Sequence, residues 1–385
     1  MGVVLRRRQI LAAFGLITLV ALAAIYVAPR PGSVKQSLPE KISDGEFWKL
    51  ITEFSEPGGY FRSDNFVSNE ETFQYVIPAL TKKLKPGGVY LGVGPDQNFT
   101  YILALQPKLA FITDIRRQNM LQHLMYKALF ELSDTRAHFL SKLFARPAPK
   151  DLPNRVAAVR LFEAFNNEES DPKLAKEDLA AVLRQLRDQH HFALTTEDSR
   201  NIEYVYTAFV AAGPEIRYSF PNQYGRRRFP SYSELMLETD GQDAGGQNHS
   251  YLASEENFLV IKKLESENRI VPIVGDFAGE KALPSVGRYL KNHGATVTAF
   301  YTSNVEFYLF QQPDDWKRFL KNVAELPVRE DSLFIRSYFN NYGVRVPNAP
   351  GARSETLLDS IPGLIIDFEA NRIQSYFDVV KRPAP

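Results

Sequence analysis

The sequence predicts an α/β fold with a mostly parallel sheet, a helical and irregular insertion, and an N-terminal membrane segment. Short apolar strands at residues 89–93 and 109–113 alternate with helical patterns, and the alternation resumes at residue 269. Such alternation with short connections is typical of strands that pair in parallel. Between the two stretches, prolines, charged residues and irregular polar segments interrupt the pattern. The insertion therefore divides the sheet-forming sequence into two parts.

The first 28 residues predict export or membrane anchoring. Three arginines at positions 6–8 precede an uncharged run over residues 9–28, a length that spans a bilayer as a helix. Positive charge before such a run favours an orientation with the remaining chain outside the cytoplasm. The arginines and the Gln-Ile-Leu after them also resemble a twin-arginine export signal, and Ala21 and Ala23 allow cleavage. We expect a membrane-anchored or exported protein with its main domain on the periplasmic side, and both fates of the segment stay open.

Shifts in composition along the chain predict its organisation. Apolar residues recur every three or four positions from about residue 118 to 132, which predicts a helix after the second strand. Two stretches near the C-terminus, DSLFIRSYF and LIIDFEANRIQSYFDVV, are predicted to supply closing strands. The predicted segments are a signal or anchor (1–28), a linker (29–45), the first part of the α/β domain (46–145), a cap insertion over one end of the sheet (146–256) and the second part of the domain (257–385).

The composition argues against several classes of function. The chain is 44% apolar, enough for a large core, and its formal net charge of +1 gives no reason to expect a nucleic-acid partner. It contains no cysteine, which removes thiol chemistry and cysteine metal sites. The six histidines are scattered, and the sequence contains none of the common zinc-protease, serine-hydrolase or P-loop motifs. We therefore expect no metal site.

The residues GGVYLGVGPDQN, at positions 87–98, place Gly92 and Gly94 between a predicted strand and the next helix. Glycine suits a turn that adopts positive φ or lets the backbone approach a ligand. Asp114 ends the neighbouring strand, twenty residues after Gly94. This separation is typical of a glycine turn and the acid that accepts hydrogen bonds from a ribose, both facing the crevice at the carboxyl ends of the strands. A purely structural turn is the alternative.

Polar residues after later strands give further candidates. The segment YTSNVE ends a strand, so Asn304 and Glu306 are expected to face the crevice. Asp276 follows the strand-like RIVPIV and either lines the crevice or caps the next helix. His249 lies in the glycine-rich segment GQDAGGQNHSYLAS, which is either a mobile loop that reaches a substrate or a plain surface loop.

Three segments carry a resemblance to a known family. VYLGVGPDQN, AFITDIRRQN and IVPIVGDFAG are similar to the glycine turn and the next two strand ends of class I S-adenosylmethionine-dependent methyltransferases. The similarity, to a bacterial subgroup of this Rossmann-like family, covers residues 56–145 and 255–310. It implies a methyltransferase-like fold that binds S-adenosylmethionine. By this resemblance, the methionine part would be lined by Gly92 and Gly94, the ribose held by Asp114, and the adenine flanked by Asp276 and Phe277.

Two positions depart from the family pattern. Tyr90 stands where an acid usually precedes the glycines, and Asp96 replaces the third glycine and adds negative charge close to the carboxylate of the cofactor. The remaining candidates for cofactor binding are Asp96, Asn98 and Asn304, and the candidates for a catalytic base are Glu306 and His249.

Two functions stay open at this point. The first is an S-adenosylmethionine-dependent methyltransferase of unknown acceptor, with a small-molecule ligand in the crevice. The second is a non-catalytic ligand-binding or interaction module on the same fold. The methyl donor is made in the cytoplasm, so an exported enzyme would lack its supply. A twin-arginine route exports folded proteins and could carry a bound ligand with them.

Replacement of Arg7 and Arg8 by lysine is expected to block export if the twin-arginine interpretation holds. Lysine keeps the positive charge that orients a membrane helix but removes the paired guanidinium groups. A reporter fused after Pro385 measures the outcome, and we expect activity outside the cytoplasm for the unchanged chain. A reporter active only in the cytoplasm would contradict the predicted location.

Overall fold

The computed structural model describes residues 37–149, 153, 155–219, 229–241, 245–339, 352–382 and 385. The predicted membrane segment, residues 1–28, and the first part of the predicted linker lie outside these residues. Within the part of the chain that is described, none of the helices is both long and apolar enough to cross a bilayer.

In the described residues, six strands form one sheet: β1 (Val89–Gly92), β2 (Leu109–Asp114), β3 (Ile270–Val274), β4 (Val297–Ser303), β5 (Val328–Phe339) and β6 (Ser354–Ser360). Their order across the sheet is β3-β2-β1-β4-β5-β6. The first five are parallel to one another, and β6 is antiparallel to β5. Val89 of β1 pairs with Leu109 of β2, so the two strands predicted at 89–93 and 109–113 are neighbours. The predicted α/β fold and mostly parallel sheet are therefore confirmed.

Helices connect and flank these strands. The helices before β3 are α1 (Asp44–Phe54), α2 (Ile77–Lys83), α3 (Gln97–Leu105), α4 (Arg117–Glu131), α5 (Arg136–Phe144), α6 (Ala158–Asn166), α7 (Pro172–Arg184), α8 (Thr196–Ala212), α9 (Tyr232–Leu237) and α10 (Glu255–Ser266). A π-helical turn, Gln185–Gln189, continues α7, and a 3₁₀ turn, Gly213–Glu215, follows α8. The later helices are α11 (Ala282–Asn292), α12 (Val305–Leu309), α13 (Asp315–Ala324), α14 (Ile361–Glu369) and α15 (Tyr376–Val380).

The core lies on both faces of the sheet. Every residue of β1, β2 and β3 is buried, as expected for parallel strands covered by helices on both sides. Helix α4, predicted from its apolar period, is buried at every position from 119 to 130. The insertion packs on this helix through α8, for example with the Phe209 ring 6.0 Å from the Tyr126 ring. The inserted helices therefore add a further layer outside α4.

One predicted closing strand is helical in the structure. DSLFIRSYF lies in β5, but the segment LIIDFEANRIQSYFDVV forms most of α14 and all of α15. Ser360 accepts a hydrogen bond from the backbone N–H of Gly363 at 3.1 Å, and Pro362 occupies the first turn of α14. A serine cap followed by proline is typical of a helix start. The last strand is instead the polar segment SETLLDS just before this cap.

The turn after β1 is held by the buried side chain of Asn98. Its amide donates to the carbonyls of Val93 at 2.9 Å and Pro95 at 2.7 Å, and its Oδ1 accepts from the Tyr90 hydroxyl at 2.9 Å. A Cβ at Gly92 would lie 2.0 Å from this Oδ1, so the first glycine makes room for the amide. Gly94 has a φ of +79°, a conformation that L side chains rarely adopt. Close packing against the Asn98 side chain therefore explains Gly92, and the positive φ explains Gly94.

Substitution of Asn98 by alanine is expected to lower the free energy of unfolding by roughly 3 kcal/mol, because it removes three buried side-chain hydrogen bonds and leaves the Tyr90 hydroxyl and the Val93 carbonyl without these partners. Chemical denaturation measures the change. Tyr90→Phe is the matched control, since it removes one of these bonds and leaves the amide in place, at a cost of about 1 kcal/mol. Equal stability of the two variants would show that the amide does not hold the turn.

Candidate functional site

A cavity of about 350 Å³ lies where the carboxyl ends of β1, β2, β3 and β4 meet. The order of the strands reverses between β1 and β4, and in open α/β sheets ligands bind in the crevice at such a reversal. The volume falls within the range of pockets that hold small organic ligands. The cavity is therefore the candidate site.

The cavity collects five of the residues predicted from the sequence: Gly94, Asp114, Asp276, Phe277 and Asn304. They come from the ends of four different strands, which explains how positions far apart in the sequence meet. Sequence reasoning missed the contribution of the segment between α1 and α2. The lining residues from that segment are Tyr60, Phe61, Asn65, Ser68, Asn69 and Glu70.

Asp114 and Arg116 form a buried bidentate ion pair at the end of β2. The Nε and Nη2 atoms of Arg116 lie 3.0 and 2.9 Å from the two carboxylate oxygens, and the backbone N–H of Arg116 donates to the same carboxylate at 2.9 Å. Burial lowers the pKa of Arg116, but the Asp114 carboxylate offsets this and raises it above its usual value. The orientation of Asp114 is therefore fixed before any ligand enters.

Glu70 is a buried carboxylate at the opposite end of the cavity. Its Oε1 accepts hydrogen bonds from the Tyr301 hydroxyl at 2.8 Å and from the Ser303 hydroxyl, and its Oε2 accepts from the Gln97 amide at 2.8 Å. Ser303 has a φ of +51°, an uncommon conformation for a residue other than glycine. Backbone strain of this kind is concentrated at functional sites. Glu70 therefore joins the segment between α1 and α2 to β4 and to α3.

The segment that contains Glu70 follows the rim of the cavity. Glu56 accepts from the backbone N–H groups of Asp276 and Ala282, at 3.2 and 2.7 Å, and so caps α11 beside β3. The Phe61 ring lies 5.5 Å from the ring of Tyr308, beyond β4. Between these contacts the Tyr60 side chain is 85% exposed. We call residues 56–70 the rim segment. The run PGGYFRSDN within it was the sequence feature that could have drawn attention to this segment.

Asp96 faces away from the cavity. Its carboxylate accepts a hydrogen bond from the Tyr251 hydroxyl at 2.8 Å, and that hydroxyl lies 2.6 Å from the hydroxyl of Tyr232. Burial raises the pKa of Asp96 to about 7. The predicted proximity of Asp96 to a cofactor carboxylate is not observed, because its side chain points from the glycine turn towards buried tyrosines of the insertion.

Both predicted catalytic bases lie outside the cavity lining. Glu306 is buried against Arg336, whose Nε lies 2.5 Å from its carboxylate, and Arg336 also pairs with Asp359 at 2.7 Å. The His249 ring lies 2.8 Å from the Asp240 carboxylate. Gly92 and Asn98 are likewise absent from the lining, since they form the inner part of the turn after β1. These four residues are held by structural contacts instead.

The cavity is acidic and aromatic. Of the described residues that line it, four carry carboxylates and Arg116 alone is cationic, and Arg116 is paired with Asp114. Burial raises the pKa of Asp276. No group of three or more metal-ligating side chains occurs among the residues that are described. The site therefore suits a neutral or cationic organic ligand with hydroxyl donors better than a polyphosphate. Its carboxylates are Glu70, Asp114, Asp276 and Asp315, and its aromatic rings are Tyr60, Phe61, Tyr218, Phe277, Tyr301 and Tyr308.

Comparison with known proteins gives a family but no activity. No curated protein matches the sequence. A family described as a domain of unknown function, DUF7790, matches residues 65–361. This range contains all six strands and most of the residues that line the cavity. Because the match covers well over half of the chain, the protein belongs to the DUF7790 family.

Proposed function

We propose that the cavity binds S-adenosylmethionine and that the protein is a methyltransferase-like protein, exported or anchored to the membrane by residues 9–28. The observation that carries this proposal is that Gly94, Asp114 and Asp276 end three adjacent strands and open on one cavity. The strand order also supports a Rossmann-like fold, since sheets of that class share it, although β6 is antiparallel here.

The order of the strands suggests how the ligand would lie. With β3, β2 and β1 side by side, the adenine would lie near Asp276 and Phe277, the ribose near Asp114 and the methionine part near Gly94. A carboxylate has about four acceptor positions. Three of these are used by the bonds from Arg116, so Asp114 keeps one acceptor position for a ribose hydroxyl.

The charge of the cavity supports the same ligand. S-adenosylmethionine carries a sulfonium cation, and aromatic faces and carboxylates both favour a cationic group. A dinucleotide would bring a pyrophosphate. The described lining offers that group only one cation, Arg116, which is already paired with Asp114.

A non-catalytic ligand-binding module is the second candidate. It is favoured by the contacts of Glu306 and His249, which hold both predicted bases away from the cavity. Methyl transfer to a well-oriented acceptor draws most of its rate from positioning, so the absence of these two groups from the site does not by itself decide between the candidates.

Asp114→Asn is expected to weaken binding of S-adenosylmethionine and S-adenosylhomocysteine to the full-length protein at least about tenfold, because charge-assisted hydrogen bonds are worth about 1.5–3 kcal/mol each. Isothermal titration calorimetry measures the affinities. Asp198→Asn is the matched control, since Asp198 forms the same bidentate pair with Arg117, at 2.7 and 3.0 Å, outside the cavity lining. Absence of binding to the unchanged protein would refute the proposed ligand.

A further inference from the structure

We propose that Glu70 recognises the protonated amine of a second ligand, the methyl acceptor. The inference rests on the proposed function for the identity of the donor. It depends on Glu70 itself for the chemistry of the acceptor, because this buried carboxylate contacts the end of β4 and has only neutral hydrogen-bond donors among the described residues.

The position of Glu70 points to the acceptor. The proposed donor extends across the ends of β3, β2 and β1, and the next strand in the sheet is β4. Glu70 contacts that strand end through the hydroxyls of Tyr301 and Ser303. A group that receives the methyl must lie beyond the methionine part of the donor, which is the β4 end of the cavity.

The charge of Glu70 has no cationic partner among the described residues. Its side chain is 1% exposed, and its three side-chain donors, Tyr301, Ser303 and Gln97, are neutral. A buried carboxylate is costly unless hydrogen bonds and an opposite charge compensate it. An ammonium group at the β4 end would supply the missing positive charge.

The other carboxylates of the cavity have local partners. Asp114 is paired with Arg116, and Asp315 lies 2.5 Å from Arg318. Asp276 also has only a neutral donor, the backbone N–H of Ala278 at 2.9 Å, but it lies at the β3 end of the cavity. Glu70 is thus the carboxylate able to select a cation at the β4 end.

The surroundings of Glu70 describe the rest of the acceptor. The rings of Tyr301, Tyr308 and Phe61 lie at the same end of the cavity, with Phe61 and Tyr308 edge to face. Aromatic rings beside an anion favour an amine with an apolar or aromatic body. An arylalkylamine combines the two features.

Glu70→Gln tests the inference on the full-length protein. The unchanged protein, saturated with S-adenosylhomocysteine, is expected to bind benzylamine at least tenfold more tightly than benzyl alcohol in calorimetry, and Glu70→Gln to abolish the difference. The variant is expected to fold. The buried Oε1 of Gln97 has no partner, and rotation of the Gln97 amide by 180° would let this oxygen accept a hydrogen bond from the amide introduced at position 70. A thermal melt checks this. Asp315→Asn removes a carboxylate from the far side of the same cavity and is expected to keep the tenfold preference.

Two results would overturn the inference. One is equal affinity of the unchanged protein for the amine and the alcohol. The other is that Glu70→Gln weakens S-adenosylhomocysteine tenfold while 5′-methylthioadenosine, which lacks the amino-acid ammonium, binds as before. That second result would assign the ammonium at Glu70 to the donor. If the unchanged protein binds neither adenosyl compound but keeps a Glu70-dependent preference for the amine, the proposed donor fails and the amine site stands.

Discussion

Five parallel strands end at one edge of the sheet, and this constraint determines where the polar chemistry of the protein lies. β1, β2 and β3 are buried along their whole length, so charged side chains appear only at or after their carboxyl ends. Asp114, Asp276 and Ser303 reach the same cavity for this reason, although the insertion and long stretches of chain separate them in sequence. The rim segment then closes the edge by bonding to three of these strand ends.

The regular part of the fold could be predicted because its signals are local. The apolar runs of β1 and β2 and the period of α4 each lie within a single stretch of sequence. The prediction of a strand in the C-terminal segment was wrong because LIIDF is a short apolar run, and periodicity cannot assign such a run to strand or helix. The segment is helical because Ser360 caps it. β6 is a strand because it pairs with β5, and its own sequence is not a continuous apolar run.

The site was predictable only where a residue directly follows a strand. Gly94 and Asp114 could be identified by their spacing, whereas Glu70 meets Gln97 across 27 positions and Tyr301 across 231. No local pattern encodes such contacts. Asp96 shows the opposite error. Its place in the glycine turn predicted a side chain in the cavity, but the side chain points to the tyrosines behind the turn. Position along the chain identified the turn but not the direction of the side chain.

The same carboxylate links the two candidate functions. An anion at the β4 end stabilises a protonated amine, and a protonated amine has no lone pair with which to attack a methyl group. Transfer therefore requires the ammonium proton to leave, and Glu70 is the carboxylate close enough to receive it. If the proton stays on the amine, the cavity holds two ligands side by side without reaction and acts as a binding module. The distinction between enzyme and binding module thus reduces to whether the bound amine loses its proton before it meets the methyl group of the donor.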